Sequence, residues 1–150
     1  MVIDLSPDCE LTHKIIGAAF EVRKKLGRWL NESAYERAMQ IELALQGIES
    51  KCQVEYPVIY KGHNLNHAYK IDMLVEDCVC IEFKTVSVMT ERELSQIVNY
   101  LRYCNIQVGY LMNFRADDFC IARIPVKEDI NDHLYLDKGI YRVANFADYY

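Results

Sequence analysis

The chain has 150 residues, of which about half are apolar and about a quarter are charged, and its formal net charge is −5. This length and composition are typical of one globular domain with a sizeable core. No apolar run approaches the roughly 20 residues that cross a bilayer, and no basic segment followed by an apolar one marks a signal peptide. We therefore expect a cytoplasmic protein without a membrane span. The acidic balance counts against strong non-specific binding to nucleic acid.

The cysteines and histidines do not predict a zinc site. The six cysteines are scattered without a C-x-x-C spacing, and several lie in apolar segments, which is typical of buried free thiols. The four histidines do not supply further ligands at a recognisable zinc spacing. We therefore expect the cysteines to contribute to packing rather than to metal binding.

Two helices are predicted before the first strand. Apolar residues recur at helical spacing over residues 11–26, and Gly27 follows as a C-terminal cap. Asn31 is an N-cap residue type with Glu32 in the first turn behind it, and Gly47 is predicted to end the second helix. The buried stripe of this helix is predicted from its apolar spacing at Ala34, Ala38, Ile41 and Leu45.

Strands and one further helix are predicted in the rest of the chain. A turn is expected at residues 62–64. Thr90 followed by Glu93 has the spacing of a capping box at the start of the third helix, and Asn105 ends that helix. Its core face is predicted from helical spacing at Leu94, Ile97, Val98 and Leu101. The strands are predicted over residues 54–60, 68–75, 79–86, 107–114 and 119–126.

The order α-α-β-β-β-α-β-β predicts an α/β protein in which a mixed central β-sheet is flanked by helices. We assign this domain to residues 1–126 and treat residues 127–150 as a C-terminal extension. The extension is polar and rich in aromatic residues. Two roles are open for it: an appendage packed on the domain, or pairing with a second subunit in a homodimer.

An acidic residue and a Glu-x-Lys motif lie on two neighbouring predicted strands. Asp72 interrupts an apolar run, where an unpaired carboxylate would be costly. Glu82 and Lys84 project to one face of their strand because side chains alternate. Carboxylates suit Mg²⁺, and a nearby Lys can orient water or stabilise charge on a phosphate. A solvated Asp72 and a simple ion pair between Glu82 and Lys84 are the alternatives.

Asp followed by Glu-x-Lys across a hairpin resembles the PD-(D/E)XK nuclease superfamily. Longer segments resemble the GxxExxY protein family, which is grouped by similarity with that superfamily. The resemblance covers roughly residues 11–124 in the right order, and it implies a restriction-endonuclease-like core. The chain departs from the family pattern at Arg23, Trp29 and Asn31. The matching segments are residues 15–19, 26–27, 32–36, 58–62, 71–75, 81–84, 96–101 and 108–114.

The resemblance implies a metal site that carries out hydrolysis. Asp72 and Glu82 would hold one or two Mg²⁺ or Mn²⁺ ions, and the carbonyl of Phe83 would be a further ligand. Lys84 would position the attacking water. Glu32 would add a carboxylate from the second helix, although the dipole of that helix is sufficient by itself to explain an acid at this position.

Gln96 and Tyr100 lie at positions i and i+4 of the third helix and therefore share a face. They resemble the Gln-x-x-x-Tyr element that accompanies the core in some superfamily nucleases and shapes the site. The alternative is that Gln96 and Tyr100 are simply polar residues on the surface of the helix. Tyr35 could hydrogen-bond within the site, and packing is the alternative for it. Trp29 stands where the first glycine of the GxxExxY motif falls. Since Trp does not readily adopt a conformation reserved for Gly, we expect the loop before Glu32 to depart from the family geometry.

Two functions follow from this reading. The leading hypothesis is a metal-dependent phosphodiesterase acting on DNA or RNA. The second is a nuclease-like module without catalytic activity that binds protein or nucleic acid, and the acidic net charge favours it. Metal binding discriminates between the two, because a retained site would bind Mn²⁺ and raise the melting temperature.

Overall fold

The computed structural model describes residues 9–117, 119–128, 134–136 and 141–143 of the chain. Its first eight elements follow the predicted order, so the prediction of an α/β protein with a mixed sheet flanked by helices is confirmed. No helix in these ranges is long and apolar enough to cross a membrane. The elements are α1 (Glu10–Leu26), α2 (Glu32–Leu45), β1 (Ser50–Tyr60), β2 (His63–Val75), β3 (Val79–Lys84), α3 (Glu91–Cys104), β4 (Val108–Asn113), β5 (Cys120–Glu128), β6 (Leu134–Leu136) and β7 (Tyr141–Val143).

The strands β1 to β5 form one sheet in chain order. Neighbours are antiparallel except β3 and β4, which run parallel because α3 crosses between them. The carboxyl ends of β3 and β4 therefore lie at one edge, where Lys84 faces Asn113 in register. The short strands β6 and β7 each pair with β5 of the same chain. The roles predicted for the other residues of the extension lie outside the described part of the chain.

The helix ends follow the cap chemistry predicted from the sequence. The Asn31 side chain accepts a hydrogen bond from a backbone N–H in the first turn of α2, and Thr90 completes the predicted capping box of α3. Gly27 and Asn105 have positive φ angles of 73° and 56°, which let the chain turn away at a helix end. These local signals fix where α2 and α3 begin, and hence where their polar side chains stand relative to the sheet.

The buried stripe of α2 lies one residue along from the predicted one. Ile41 and Leu45 are 47% and 76% exposed, so the predicted stripe is wrong. The helix ends at Leu45, and Gly47 follows its cap with a φ of 74°, so the predicted C-terminal glycine is confirmed. The larger side chains decide which face is buried, because they remove more apolar area from water than two alanines would. The buried residues of α2 are Tyr35, Met39 and Leu43.

The hairpin of β1 and β2 is longer than predicted. The chain turns at Lys61 and Gly62, whose φ angles of 47° and 81° are both positive, as a two-residue hairpin turn requires. The predicted turn at residues 62–64 is therefore displaced, and β2 already begins at His63. The hairpin places the residues of β2 that precede Asp72 along the outside of the domain, where most of them are exposed.

Helices cover both faces of the sheet. The core under α1 and α2 contains Phe83, whereas the core under α3 contains Leu111, Ile97 and Leu101. The helix α3 lies close to β4 because position 109 is Gly: a Cβ atom there would stand 3.0 Å from the side chain of Ile97. This close approach determines how near α3 lies to the sheet.

Candidate active site

Two carboxylates join β2 to β3 where the regular ladder ends. The regular pairing reaches Met73 and Ile81. Beyond these residues, the Asp72 backbone N–H donates to Glu82 Oε1 at 3.1 Å, and the Phe83 backbone N–H donates to Asp72 Oδ2 at 3.0 Å. The side chains thus replace backbone acceptors, and the main chain holds both carboxylates in place.

Glu82 is a buried acid, with 3% of its surface exposed. Burial, followed by the negative charge on Asp72, raises the pKa of Glu82 to about 8. The hydrogen bond from the Asp72 backbone and the Lys84 ammonium act in the opposite direction but do not cancel the rise. A cation beside the pair would lower the cost of ionising this carboxylate, which is the electrostatic property expected of a cation site.

A chain of side chains runs from the end of β3 to α3. Lys84 Nζ donates to Gln96 Oε1 at 2.9 Å, and Gln96 Nε2 donates to Tyr100 Oη at 3.0 Å. Partial burial raises the pKa of the Tyr100 hydroxyl, which keeps that group neutral. The ion pairs described for residues 9–117 do not include one between Lys84 and Glu82. Lys84, Gln96 and Tyr100 are therefore linked by direct hydrogen bonds.

The helix-borne acid connected to the pair is Glu36 rather than Glu32. Gln53 Nε2 donates to Glu36 Oε2 at 2.7 Å and stands 3.5 Å from Asp72 Oδ1. Burial raises the pKa of the Glu36 carboxyl, and the charge of Asp72 adds to the rise. Glu32, one helical turn earlier, is exposed and lines the rim of the same pocket. The structure thus connects Glu36 to Asp72 and leaves Glu32 at the entrance.

Glu36 and Gln53 were not among the residues predicted for the site. Glu36 had a detectable signal, since it lies four residues after Glu32 and so shares its helix face. Gln53 had none, because its position depends on a backbone feature. It adopts a φ of 55°, rare for a residue other than Gly, and it stands opposite Asp72 between two regular pairs of β1 and β2. Strained backbone of this kind concentrates at functional sites.

Two clefts meet at Glu32. An acidic pocket of about 500 Å³ lies between α2 and the sheet and includes Glu36, Gln53 and Asp72. A groove of about 820 Å³ lies between β2 and α3. The residues that line the groove carry aromatic, cationic and amide groups, and they include His67, Tyr69, Lys84, Arg92, Gln96 and Tyr100. The candidate site therefore combines an acidic pocket with a larger groove that carries aromatic, cationic and amide groups.

The donor set suits a hard divalent cation. Asp72 and Glu82 offer carboxylate oxygens, the ligand type that Mg²⁺ and Mn²⁺ prefer. Among the described residues, no group of three or more His, Cys, Asp and Glu side chains stands close enough together to hold a metal ion. A divalent cation held by this pair would therefore need further ligands from main-chain oxygen, water or substrate oxygen, as Mg²⁺ sites generally do.

Comparison with known proteins agrees with this geometry. The family model of the PD-(D/E)XK nuclease superfamily matches residues 9–124, which span α1 to the first half of β5. No curated protein and no solved structure gave a match. The matched region contains Asp72, Glu82, Lys84 and the mixed sheet that holds them, and the restriction-endonuclease-like fold expected from the sequence is confirmed. The chain belongs to the PD-(D/E)XK nuclease superfamily.

Proposed function

We propose that the protein is a Mg²⁺- or Mn²⁺-dependent nuclease that hydrolyses phosphodiester bonds in DNA or RNA. The observation that carries this proposal is that the Asp72–Glu82 pair lies close enough to the Lys84 ammonium for that charge to act on the pKa of Glu82. Superfamily membership supports a nuclease, and nucleases of this superfamily generally use divalent metals. We place the protein in the cytoplasm, and we retain residues 127–150 as a candidate contact of a homodimer.

The carboxylates are proposed to hold the metal. Asp72, Glu82 and the Phe83 carbonyl would be its ligands, and Glu36 is a better candidate than Glu32 for an additional acid because Gln53 connects it to Asp72. When bound, the ion would lower the pKa of a water molecule and neutralise charge on the scissile phosphate. The buried position of Glu82 makes the pair sensitive to positive charge, because burial disfavours the bare anion.

Lys84 is proposed to act on the attacking water or on the phosphate. An ammonium carries three donors, and Lys84 gives one of them to Gln96. The hydrogen bond from Gln96 to Tyr100 anchors the amide in turn. Gln96 and Tyr100 would therefore hold the ammonium at the end of β3, so that its remaining donors meet a water or a phosphate oxygen without a search for orientation.

The groove between β2 and α3 is the proposed path of the nucleic acid. Its aromatic side chains offer surfaces for bases, and Lys84 and Arg92 offer charge for phosphates. Glu32 stands where the groove meets the acidic pocket. A strand in this groove would present a phosphate between the carboxylate pair and the Lys84 ammonium, the arrangement that hydrolysis requires.

Metal binding and cleavage test the proposal together. The purified chain is melted with and without Mn²⁺ and then incubated with single-stranded DNA, duplex DNA and RNA in the presence of Mg²⁺ or Mn²⁺. We expect Mn²⁺ to raise the melting temperature of the wild type and of the control variant Asp77→Asn, whose carboxylate pairs with Lys51 on the surface. The rise and the cleavage should both disappear in Asp72→Asn.

A nuclease-like module without catalysis is the second candidate. One observation favours it: Asp72 and Glu82 already accept backbone hydrogen bonds, so the pair has partners without a metal. This module predicts no melting shift with Mn²⁺ and no cleavage of any substrate. It also predicts that Asp72→Ala leaves the stability unchanged or raises it, because one charge is removed from beside a buried acid.

A further inference from the structure

The loop between α1 and α2 exposes the largest side chain type of the chain. Trp29 is 71% exposed. The φ angle of Trp29 is not positive, so its backbone does not need the conformation reserved for glycine. Two guanidinium groups accompany the indole: Arg28 Cζ lies 4.7 Å and Arg115 Cζ 5.2 Å from the ring centroid. An exposed aromatic ring with two guanidinium groups close to it is thus presented to solvent.

The loop is held firmly although the ring is exposed. Arg28 Nε donates to the Arg115 carbonyl at 2.9 Å, and Arg115 Nε donates to the Arg28 carbonyl at 3.2 Å. The buried Tyr35 stacks on a phenylalanine of the core. Its hydroxyl donates to the Gly27 carbonyl at 2.7 Å and accepts from the Leu30 backbone N–H at 3.2 Å. These hydrogen bonds therefore hold the backbone on both sides of Trp29 in place.

This loop borders the candidate active site. Trp29 precedes Asn31, which lines the acidic pocket, by two residues. Arg115 follows Asn113 by two residues, and Asn113 faces Lys84 in the sheet register. Because two residues span at most about 7 Å, the backbone of Trp29 lies close to the acidic pocket and the backbone of Arg115 lies close to the end of β4 beside Lys84.

We propose that Trp29, with Arg28 and Arg115, is a stacking site for an unpaired base of single-stranded nucleic acid. The proposal rests on the proposed function, since it names the substrate class of the same site. A base offers its face to an indole only when it is not stacked within a duplex. The guanidinium groups suit the phosphates beside that base and offset the acidic charge of the neighbouring pocket.

A protein partner is a less suitable occupant of this surface. The apolar side chains that flank the ring, Leu26 and Leu30, are only 39% and 40% exposed. Arg28 also forms an ion pair with the exposed Asp117 at the edge of the loop. A ring bordered by charges, without a wide apolar surround, fits one flat aromatic group next to an anion better than it fits the apolar centre of a protein interface.

The test uses the fluorescence of the only tryptophan in the chain. The wild type is titrated, with a chelator present, with a thymidine oligonucleotide of about 12 nucleotides and with a duplex of the same length. We expect saturable quenching of Trp29 by the single strand, with the duplex binding more weakly. Affinity measured by anisotropy of a labelled single strand should fall roughly 5- to 150-fold in Trp29→Ala.

Two variants separate stacking from folding. Trp29→Phe keeps an aromatic ring and should retain more affinity than Trp29→Ala. Leu45→Ala, a control at the far end of α2, removes a side chain that is 76% exposed and should leave affinity unchanged. Absence of quenching, equal affinity of wild type and Trp29→Ala, or a fluorescence change that follows protein concentration alone would overturn the stacking site. The last result would assign the ring to a contact between copies of the chain.

The outcome is independent of catalysis. Quenching by the single strand in a chain that cleaves no nucleic acid would support the stacking site and count against the proposed nuclease. Metal-dependent cleavage combined with unchanged binding by Trp29→Ala would overturn the stacking site and leave the nuclease proposal in place.

Discussion

The two halves of the candidate site are built by different means. The Asp72–Glu82 pair is held by backbone N–H groups of β2 and β3. The chain from Lys84 through Gln96 to Tyr100 is held by side chains, two of which belong to α3. Glu82 is buried, whereas Gln96 is exposed. The first half therefore depends on the sheet, and the second depends on where a helix packs.

This difference indicates that the two halves of the candidate site have different roles. Main-chain hydrogen bonds fix positions closely, which suits ligands of a cation with a strict geometry. Side chains of α3 hold the Lys84 ammonium through hydrogen bonds, which suits a group that must meet a water or a phosphate oxygen in a set orientation. Substitutions in the Asp72–Glu82 pair should therefore alter metal binding. Substitutions in the chain from Lys84 to Tyr100 should alter turnover while metal binding persists.

Lys84→Ala should give the largest effect. Removal of the ammonium is expected to lower cleavage by roughly 100- to 10,000-fold, the range for a positioned acid–base or electrostatic group. The Mn²⁺-induced rise in melting temperature should remain. Single-turnover cleavage and thermal melting are measured on the same preparation, with the exposed Lys25→Ala as control. Loss of the melting shift in Lys84→Ala would show that the two halves are not separable.

Gln96→Ala should reduce cleavage less, by roughly 10- to 100-fold, because it displaces the ammonium without removing it. We expect the effect in the turnover rate rather than in substrate affinity. Asn99→Ala is the matched control, since Asn99 is exposed on the same helix and lines the same groove. If Asn99→Ala and Gln96→Ala are equally slow, the contact between Gln96 and Lys84 does not position the lysine.

The buried Glu82 carboxyl of the first half should be detectable from the pH dependence of the protein's stability. The pKa of Glu82 is raised from 4.5 to about 8 in the folded protein. Between these values the folded state keeps a proton that the unfolded state has released, so stability falls as the pH rises through this window. Without metal, Glu82→Gln should abolish that fall, which is on the order of 5 kcal/mol for a shift of this size. Urea unfolding at several pH values measures it, and equal slopes in both proteins would contradict the assignment.

Much of this architecture could be predicted because local chemistry determines it. Asn31, Thr90 and Asn105 mark helix ends by hydrogen bonds or a backbone conformation that depend on neighbouring residues alone. The placement of Asp72 opposite Glu82 likewise follows from strand alternation across a short turn. These features need no knowledge of distant parts of the chain.

The remaining features depend on tertiary packing. Residues 34 and 35 begin two equally helical stripes on α2, and only the competition between a Tyr and an Ala for the core decides which is buried. Gln53 reaches the site through a positive φ in a strand, which its residue type does not predict. Glu32 and Glu36 share one face of α2, and Glu36 is the acid connected to Asp72 because the Gln53 side chain stands between them.

The smallest predicted effect separates the two halves most directly. Gly109→Ala would place a Cβ atom 3.0 Å from the Ile97 side chain and 3.1 Å from that of Leu101, so α3 must yield slightly. We expect a loss of about 1 kcal/mol in stability, the lower end for overpacking, and a cleavage rate reduced severalfold. The Mn²⁺-induced melting shift should be unchanged, because the backbone hydrogen bonds that hold the carboxylate pair come from β2 and β3. A weakened shift would mean that the helix also supports the metal half, and that the site works as one unit.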